Sequence, residues 1–222
     1  NLSRDHLDDF DSMQDYLRAK SRLFTNQFSK RSVINCEDQF GGDMLQLVES
    51  KAVGIGNGLD YQAQEVDGNL LVQGKATLSA SANLGALMSK NLGLAVVMLL
   101  EAGFEAEKIA AAIEAADLSV PGRLQQVAGS KPAVFIDYAH TPAAVAAACE
   151  EVKRLYPKFT LVLSASGDRD SGKRTGMGLA GGSFAARVVV TDQHPRSEDP
   201  AVIRKAVLDG VLQKLSRAKV FE

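Results

Sequence analysis

Apolar and polar positions follow two periods along this chain. Residues 12 to 30 carry Met13, Tyr16, Leu17, Leu23, Phe24 and Phe28 at helical spacing, with Asp11 or Ser12 placed to cap, which predicts an amphipathic helix. Between 33 and 75 the period shortens. Ser32-Val33-Ile34-Asn35, Ala52-Val53-Gly54-Ile55-Gly56 and, after the Asp67-Gly68 turn, Asn69-Leu70-Leu71-Val72 predict strands of a small mixed unit. Residues 84 to 102 then read as a nearly continuous apolar helix ended by Gly103, and 105 to 116 as a second helix. Pro121-Gly122 marks the best boundary, so two domains are expected, 1–119 and 120–222.

Beyond the boundary the pattern is regular: strand 133–137, helix 142–155, strand 159–165, a glycine-bearing loop, helix 175–186, strand 187–192 and helix 200–215. β-branched strands alternating with helices predict an α/β unit with a mostly parallel sheet. In such sheets ligands collect outside the carboxyl ends of the strands.

One polar residue interrupts the first apolar stripe. Lys20 follows Tyr16 and Leu17 and precedes Leu23 and Phe24 at helical spacings, so it lies along the apolar face. Two readings stand. The aliphatic stem can snorkel to a wet edge, or the lysine is buried, with its pKa lowered, and its neutral amine reacts with carbon dioxide to give a carbamate able to hold a metal.

Three further polar clusters fall at the predicted strand ends. In Asp137-Tyr138-Ala139-His140-Thr141-Pro142, Thr141 and Pro142 suit a helix cap and first turn, which leaves Asp137 and His140 unexplained. The run Ser166-Gly167-Asp168-Arg169-Asp170-Ser171-Gly172-Lys173-Arg174 is either a solvated charged turn or a cradle for phosphate or carboxylate. In Thr191-Asp192-Gln193-His194-Pro195-Arg196, Arg196 can fork onto a carboxylate, while Ser197 to Pro200 can simply start the next helix. None of the three clusters matches a phosphate loop or a dinucleotide fingerprint, and no G-x-x-x-x-G-K-[ST] occurs in the chain.

Composition narrows the partners. Lys+Arg of 25 against Asp+Glu of 27 gives a formal charge of -2, which argues against a polyanion-coating protein, so no nucleic-acid partner is expected. Cys36 and Cys149 lack metal-like spacing and read as idle thiols in a reducing compartment. The longest apolar stretch, near Leu92 to Leu100, is too short to span a bilayer, and a soluble cytoplasmic protein is expected. The chain opens at Asn1 inside a motif and stops at Val220-Phe221-Glu222 as if entering a strand, so both ends read as cut.

The series Asn1-Leu2-Ser3-Arg4-Asp5-His6-Leu7-Asp8, Tyr16-Leu17-Arg18-Ala19-Lys20, Val120-Pro121-Gly122-Arg123, Asp137 to Pro142, Gly167 to Arg174 and Asp192-Gln193-His194-Pro195-Arg196 resembles the Mur ligases in order and spacing over essentially the whole chain. The resemblance is strongest to the member that adds the third amino acid of the peptidoglycan peptide. It implies a partial central ATPase domain followed by a Rossmann-like C-terminal domain, a bacterial cytoplasmic monomer, and ATP and Mg2+ as cofactors. The implied substrates are a UDP-N-acetylmuramoyl dipeptide and a free amino acid, expected to be meso-diaminopimelate. It further implies a carbamylated Lys20 that holds magnesium with His6. Asn91, Arg123, Asp137, Tyr138 and His140 would surround the nucleotide, and Asp168, Arg169 and Lys173 would face its phosphates. Asp192, His194, Pro195 and Arg196 would form the signature gripping the amino acid, the arginine going with a second substrate carboxylate.

Two positions depart from the family pattern: His194 stands where the family has Asn, and Met88 replaces the first Asn of the nucleotide motif that ends at Asn91. The resemblance also implies that the uridine-binding domain, the phosphate loop and a glutamate metal ligand precede Asn1, and that the rest of the amino-acid pocket follows Glu222.

Overall fold

A computed structural model describes the chain except for Asn1, Ser3, Arg4, His6, Gln39 and Asn83, and leaves out the side chain of Ala218. Ser12 starts helix α1 (Met13–Ser21): its hydroxyl accepts from the Asp15 backbone N–H at 3.1 Å, satisfying a donor with no partner inside the helix. The helix does not run to residue 30 as its apolar spacing suggested. A single 3-10 turn, Arg22–Phe24, follows it, closed by the Thr25 hydroxyl donating to the Arg22 carbonyl. Leu23 and Phe28 are left exposed, so periodicity overstated the buried stripe. Strand β1 (Arg31–Asn35), helix α2 (Gly41–Leu47), β2 (Lys51–Ile55), β3 (Tyr61–Val66), β4 (Asn69–Gly74) and β5 (Leu78–Ser81) come next.

Among the described residues these strands form one five-stranded sheet in chain order, with β1, β2 and β3 parallel and β3, β4 and β5 antiparallel. Asp67 and Gly68 both have positive φ, 51° and 81°, as a tight hairpin whose twist matches the flanking strands requires. The pairing of Val66 with Asn69 fixes the register, and every second residue of β4 faces the core, where Leu70 and Val72 are fully buried. Helix α3 (Gly85–Glu101) covers that face with α4 (Ala106–Ala115) beside it. Gly93 allows the close approach, since a Cβ there would lie 2.5 Å from Ala63 Cβ.

Elements α2, β3 and β5 escaped the sequence reading. Gly41 opens α2 because a Cβ there would sit 2.2 Å from the Asn35 carbonyl oxygen.

The second unit contains β6 (Gln125–Gln126), β7 (Phe135–Ile136), α5 (Pro142–Leu155), β8 (Thr160–Leu163), α6 (Arg174–Phe184), β9 (Arg187–Val190), α7 (Pro200–Val211) and β10 (Val220–Phe221). Strands β8, β9 and β10 form a parallel sheet in the order β10-β9-β8. The predicted strand 133–137 does not join it as described. It is reduced to β7, which pairs antiparallel with β6. Thr141 caps α5 and Asp199 caps α7, each with proline in the first turn.

Contacts divide the chain between Leu118 and Ser119, and the described residues of the Ser3–Asp11 stretch group with the second unit. Among the described residues no helix is long and apolar enough to cross a membrane.

Helices α6 and α7 meet backbone to backbone. A Cβ on Gly178 would lie 2.0 Å from the Val207 carbonyl oxygen, and one on Gly210 would lie 2.0 Å from that of Thr175. Neither obstacle is a flexible side-chain end, so Gly178→Ala is expected to destabilise the second unit by about 3 kcal/mol. Gly42→Ala, in a helix where a Cβ meets nothing, is expected to stabilise its own unit by roughly 0.5 to 1 kcal/mol. Urea unfolding followed by circular dichroism tests both signs.

Candidate functional site

Because β8 and β9 are parallel, the loops that follow them leave the sheet at the same edge. The first loop is not a solvated turn: Asp170, Lys173 and Arg174 are buried, Arg174 with only 3% of its surface exposed. A guanidinium that deep requires a counter-charge. Glu198 of the second loop provides it, accepting from both terminal nitrogens of Arg174 at 2.7 Å, while one of those nitrogens also donates to the Ser166 carbonyl. The Asp168 N–H donates to the same glutamate at 2.6 Å. In return, the Asp168 carboxylate accepts from the Ser197 hydroxyl at 2.6 Å and from its N–H at 3.2 Å.

Arg174, then the Asp168 N–H, holds the Glu198 carboxyl well below its usual value, at about 2, and the Ser197 donors lower that of Asp168. The loops also touch through backbone alone. Gly167 N donates to the His194 carbonyl at 3.1 Å, and a Cβ on Gly167 would fall 1.8 Å from the Pro195 oxygen. Asp168, His194 and Arg196 all have left-handed φ, at 50°, 44° and 56°. Such clusters of strained non-glycine residues gather at ligand sites.

A second cluster connects separate stretches of the chain. The buried Lys173 Nζ donates to Asp5 Oδ1 at 2.6 Å, and the other oxygen of Asp5 lies 3.0 Å from His140 Nε2. His140 Nδ1 is 3.0 Å from the Tyr138 carbonyl, and its ring meets the Tyr138 ring edge-on at 5.2 Å. The Arg123 guanidinium lies 5.1 Å from the centre of the exposed Tyr138 ring. Arg169 donates to Asp8 at 3.4 Å. Asp137 plays a local part, accepting from the Leu124 and Ala139 N–H groups at 2.8 Å each, which shapes the turn that carries Tyr138 and His140.

Thus Arg123, Tyr138, His140 and Lys173, four of the residues singled out in the sequence, are joined by continuous contacts through Asp5, a residue to which sequence reasoning gave no role. Asp168 belongs instead to the Glu198 clasp, and Arg196 donates to its backbone carbonyl at 3.4 Å. Asp192 is engaged by Arg204 of α7 at 2.7 and 2.9 Å. His194, Pro195 and Arg196 form the strained turn between them. The roles of Glu198 and Arg174 were hidden, although a loop with so many charges and so little exposure needs such a pair.

Two sequence-predicted residues lie in the first unit. Lys20 is exposed, which corrects the buried-lysine alternative: its Nζ lies 5.0 Å from the centre of the Tyr16 ring, and it lines an apolar cavity of about 240 Å³ with Leu23, Phe24, Val33, Met44 and Leu94. The snorkelling geometry is the one observed. Asn91 is exposed, and its amide contacts the Met88 sulfur at 3.9 Å. His6 lies outside the described residues. Among the described residues no group of three or more His, Cys, Asp or Glu side chains is placed to hold a metal ion.

These features define a two-unit α/β protein, one unit built on a mixed sheet and the other on a parallel sheet with charged loops at its strand ends. The chain belongs to the Mur ligase family: residues 1–115 match the Mur ligase middle domain and residues 122–222 the Mur ligase glutamate ligase domain. It is 35% identical over 243 residues to UDP-N-acetylmuramyl-tripeptide synthetase of Leifsonia xyli, covering 100% of this chain and 46% of that protein. It is 33% identical to UDP-N-acetylmuramoyl-L-alanyl-D-glutamate–2,6-diaminopimelate ligase of Aquifex aeolicus, over 96% of this chain and 46% of that one. A solved structure of a ligase with the latter name superposes with a TM-score of 0.58 at 27% identity, over 100% of this chain and 48% of that chain. Folylpolyglutamate synthase of Mycobacterium tuberculosis superposes at 0.74 with 21% identity, over 99% of this chain and 52% of that one, a likeness of fold alone. The chain thus spans about half the length of these relatives.

Glu198→Gln, which leaves the Arg174 charge buried without its counter-charge, is expected to cost the second unit about 3 kcal/mol near neutral pH. The Glu198 carboxyl is depressed in the fold, so its contribution is complete above the ordinary value of 4.5 and disappears as pH falls towards about 2. Denaturant unfolding of both proteins between pH 7 and pH 2 should show their stability gap closing over that interval.

Proposed function

We propose that this chain forms part of an ATP-dependent amide ligase that adds the third amino acid, meso-diaminopimelate, to UDP-N-acetylmuramoyl-L-alanyl-D-glutamate in the bacterial cytoplasm, acting as a monomer. The observation that carries the reading is the contact chain Arg123–Tyr138–His140–Asp5–Lys173, which gathers an aromatic face and cations at one place. Similarity to relatives named for this reaction supports it.

In the proposed reaction the γ-phosphoryl group of ATP passes to the side-chain carboxylate of D-glutamate, releasing ADP and leaving an acyl phosphate. The amine of the incoming amino acid then attacks the acyl carbon; the C–O bond to phosphate breaks and the amine loses a proton. Positioned cations favour the first step by neutralising charge on the transferring group. Lys173 and Arg169 supply that charge, and Arg123 with Tyr138 offers a cation-backed aromatic face to a base. Asn91 belongs to the same reading as a nucleotide contact.

The clasp between Asp168, Arg174, Ser197 and Glu198 holds the turn bearing His194 and Arg196, and Arg196 pairs with the second carboxylate of diaminopimelate. Asp192, fixed by Arg204, and Pro195 complete that signature. The donor set suits polyphosphate. For magnesium the reading relies on His6 and a carbamate on Lys20, and no step is derived through the ion.

Phosphate release from ATP by the protein as the cell makes it, with the UDP-linked dipeptide and each of diaminopimelate, lysine and glutamate, tests the assignment. Release should depend on diaminopimelate. Lys20→Ala should abolish turnover and short carboxylates should restore part of it; full activity in that variant removes the carbamate.

A further inference from the structure

Lys173 has 8% of its surface exposed, so its ammonium is largely withdrawn from water and depends on a partner. That partner is Asp5, far away in sequence, which receives Lys173 Nζ on one oxygen at 2.6 Å and faces His140 Nε2 with the other at 3.0 Å. One anionic group thus fills the space between donors from two loops, with two oxygens turned to two nitrogens, much as a phosphoryl group would present itself. Three residues further on, Asp8 accepts from Arg169 at 3.4 Å. Three residues expected to serve a nucleotide therefore already contact carboxylates of one short segment.

We propose that Asp5 is an internal occupant of the phosphate position, which a polyphosphate ligand must displace to reach Lys173 and His140. The proposal rests on the reading of this cluster as phosphate-facing. It goes beyond that reading by assigning Asp5 a competing role at Lys173 and His140, beside the contact of Asp8 with Arg169. The opposite possibility, that Asp5 aligns Lys173 for its ligand, predicts a change of opposite sign on substitution.

Calorimetric titration of this chain with inorganic triphosphate at low ionic strength separates the two. Asp5→Asn keeps the shape and removes the charge, and is expected to tighten binding roughly tenfold, the scale of one like charge removed at contact distance in a partly screened site. Adding Lys173→Ala should erase the gain. A folded Asp5→Asn protein that binds equally or more weakly overturns the displacement and leaves the cluster an anion site; absence of binding by both proteins overturns the phosphate-facing reading as well. A measurement on the unaltered chain covers the case in which Asp5→Asn does not fold: carbodiimide labelling of the Asp5 carboxyl, read by mass spectrometry, should rise when triphosphate saturates the protein. Labelling that stays constant overturns the proposal.

Discussion

The charged end of the second unit depends on one buried guanidinium. Arg174 begins α6 almost without solvent, and burying such a charge is tolerable only beside an anion of matching shape. Glu198 meets that need from the neighbouring loop, so two connections that could have moved independently are tied together. Asp168 and Ser197 close the ring of bonds, and the left-handed turns at Asp168, His194 and Arg196 persist because several hydrogen bonds and the Gly167 contact hold the backbone there together. The rigidity of the site comes from this exchange of partners, with the sheet supplying the common edge from which both loops depart.

Much of this fold is visible in the sequence, for reasons that can be stated. Asp67-Gly68 forces a hairpin, Gly103 ends α3, and Thr141-Pro142 starts α5, each by local backbone chemistry that needs no tertiary context. Elements that escaped were those whose signal is tertiary. Helix α2 begins with glycine because Asn35 crowds Gly41, and β5 is the short Leu78-Ser79-Ala80-Ser81, which becomes a strand only against β4. Residues 133–137 read as a strand but contribute only the short pair with β6, leaving Val134 and Ile136 exposed.

The site shows the same division. Motif order pointed to Arg123, Tyr138, His140 and Lys173, and the fold brings them together. What it could not supply was the connecting anion: Asp5 is separated from Lys173 by 168 positions, and no local pattern announces a pairing at that distance. Lys20 teaches the converse lesson. Its place on an apolar stripe suggested burial, but the helix stops one residue later at Ser21, so the stripe ends where the lysine reaches open space beside Tyr16.

The φ of 44° at position 194 casts the departure from the family pattern in another light. Few side chains accept a left-handed backbone, and asparagine and histidine are among those enriched there. Exchange of one for the other preserves the turn that carries Arg196, while replacing a short amide with a longer, ionisable ring. The constraint acts first on the shape of the main chain and only then on the group it carries, so this loop can vary its chemistry without losing its shape.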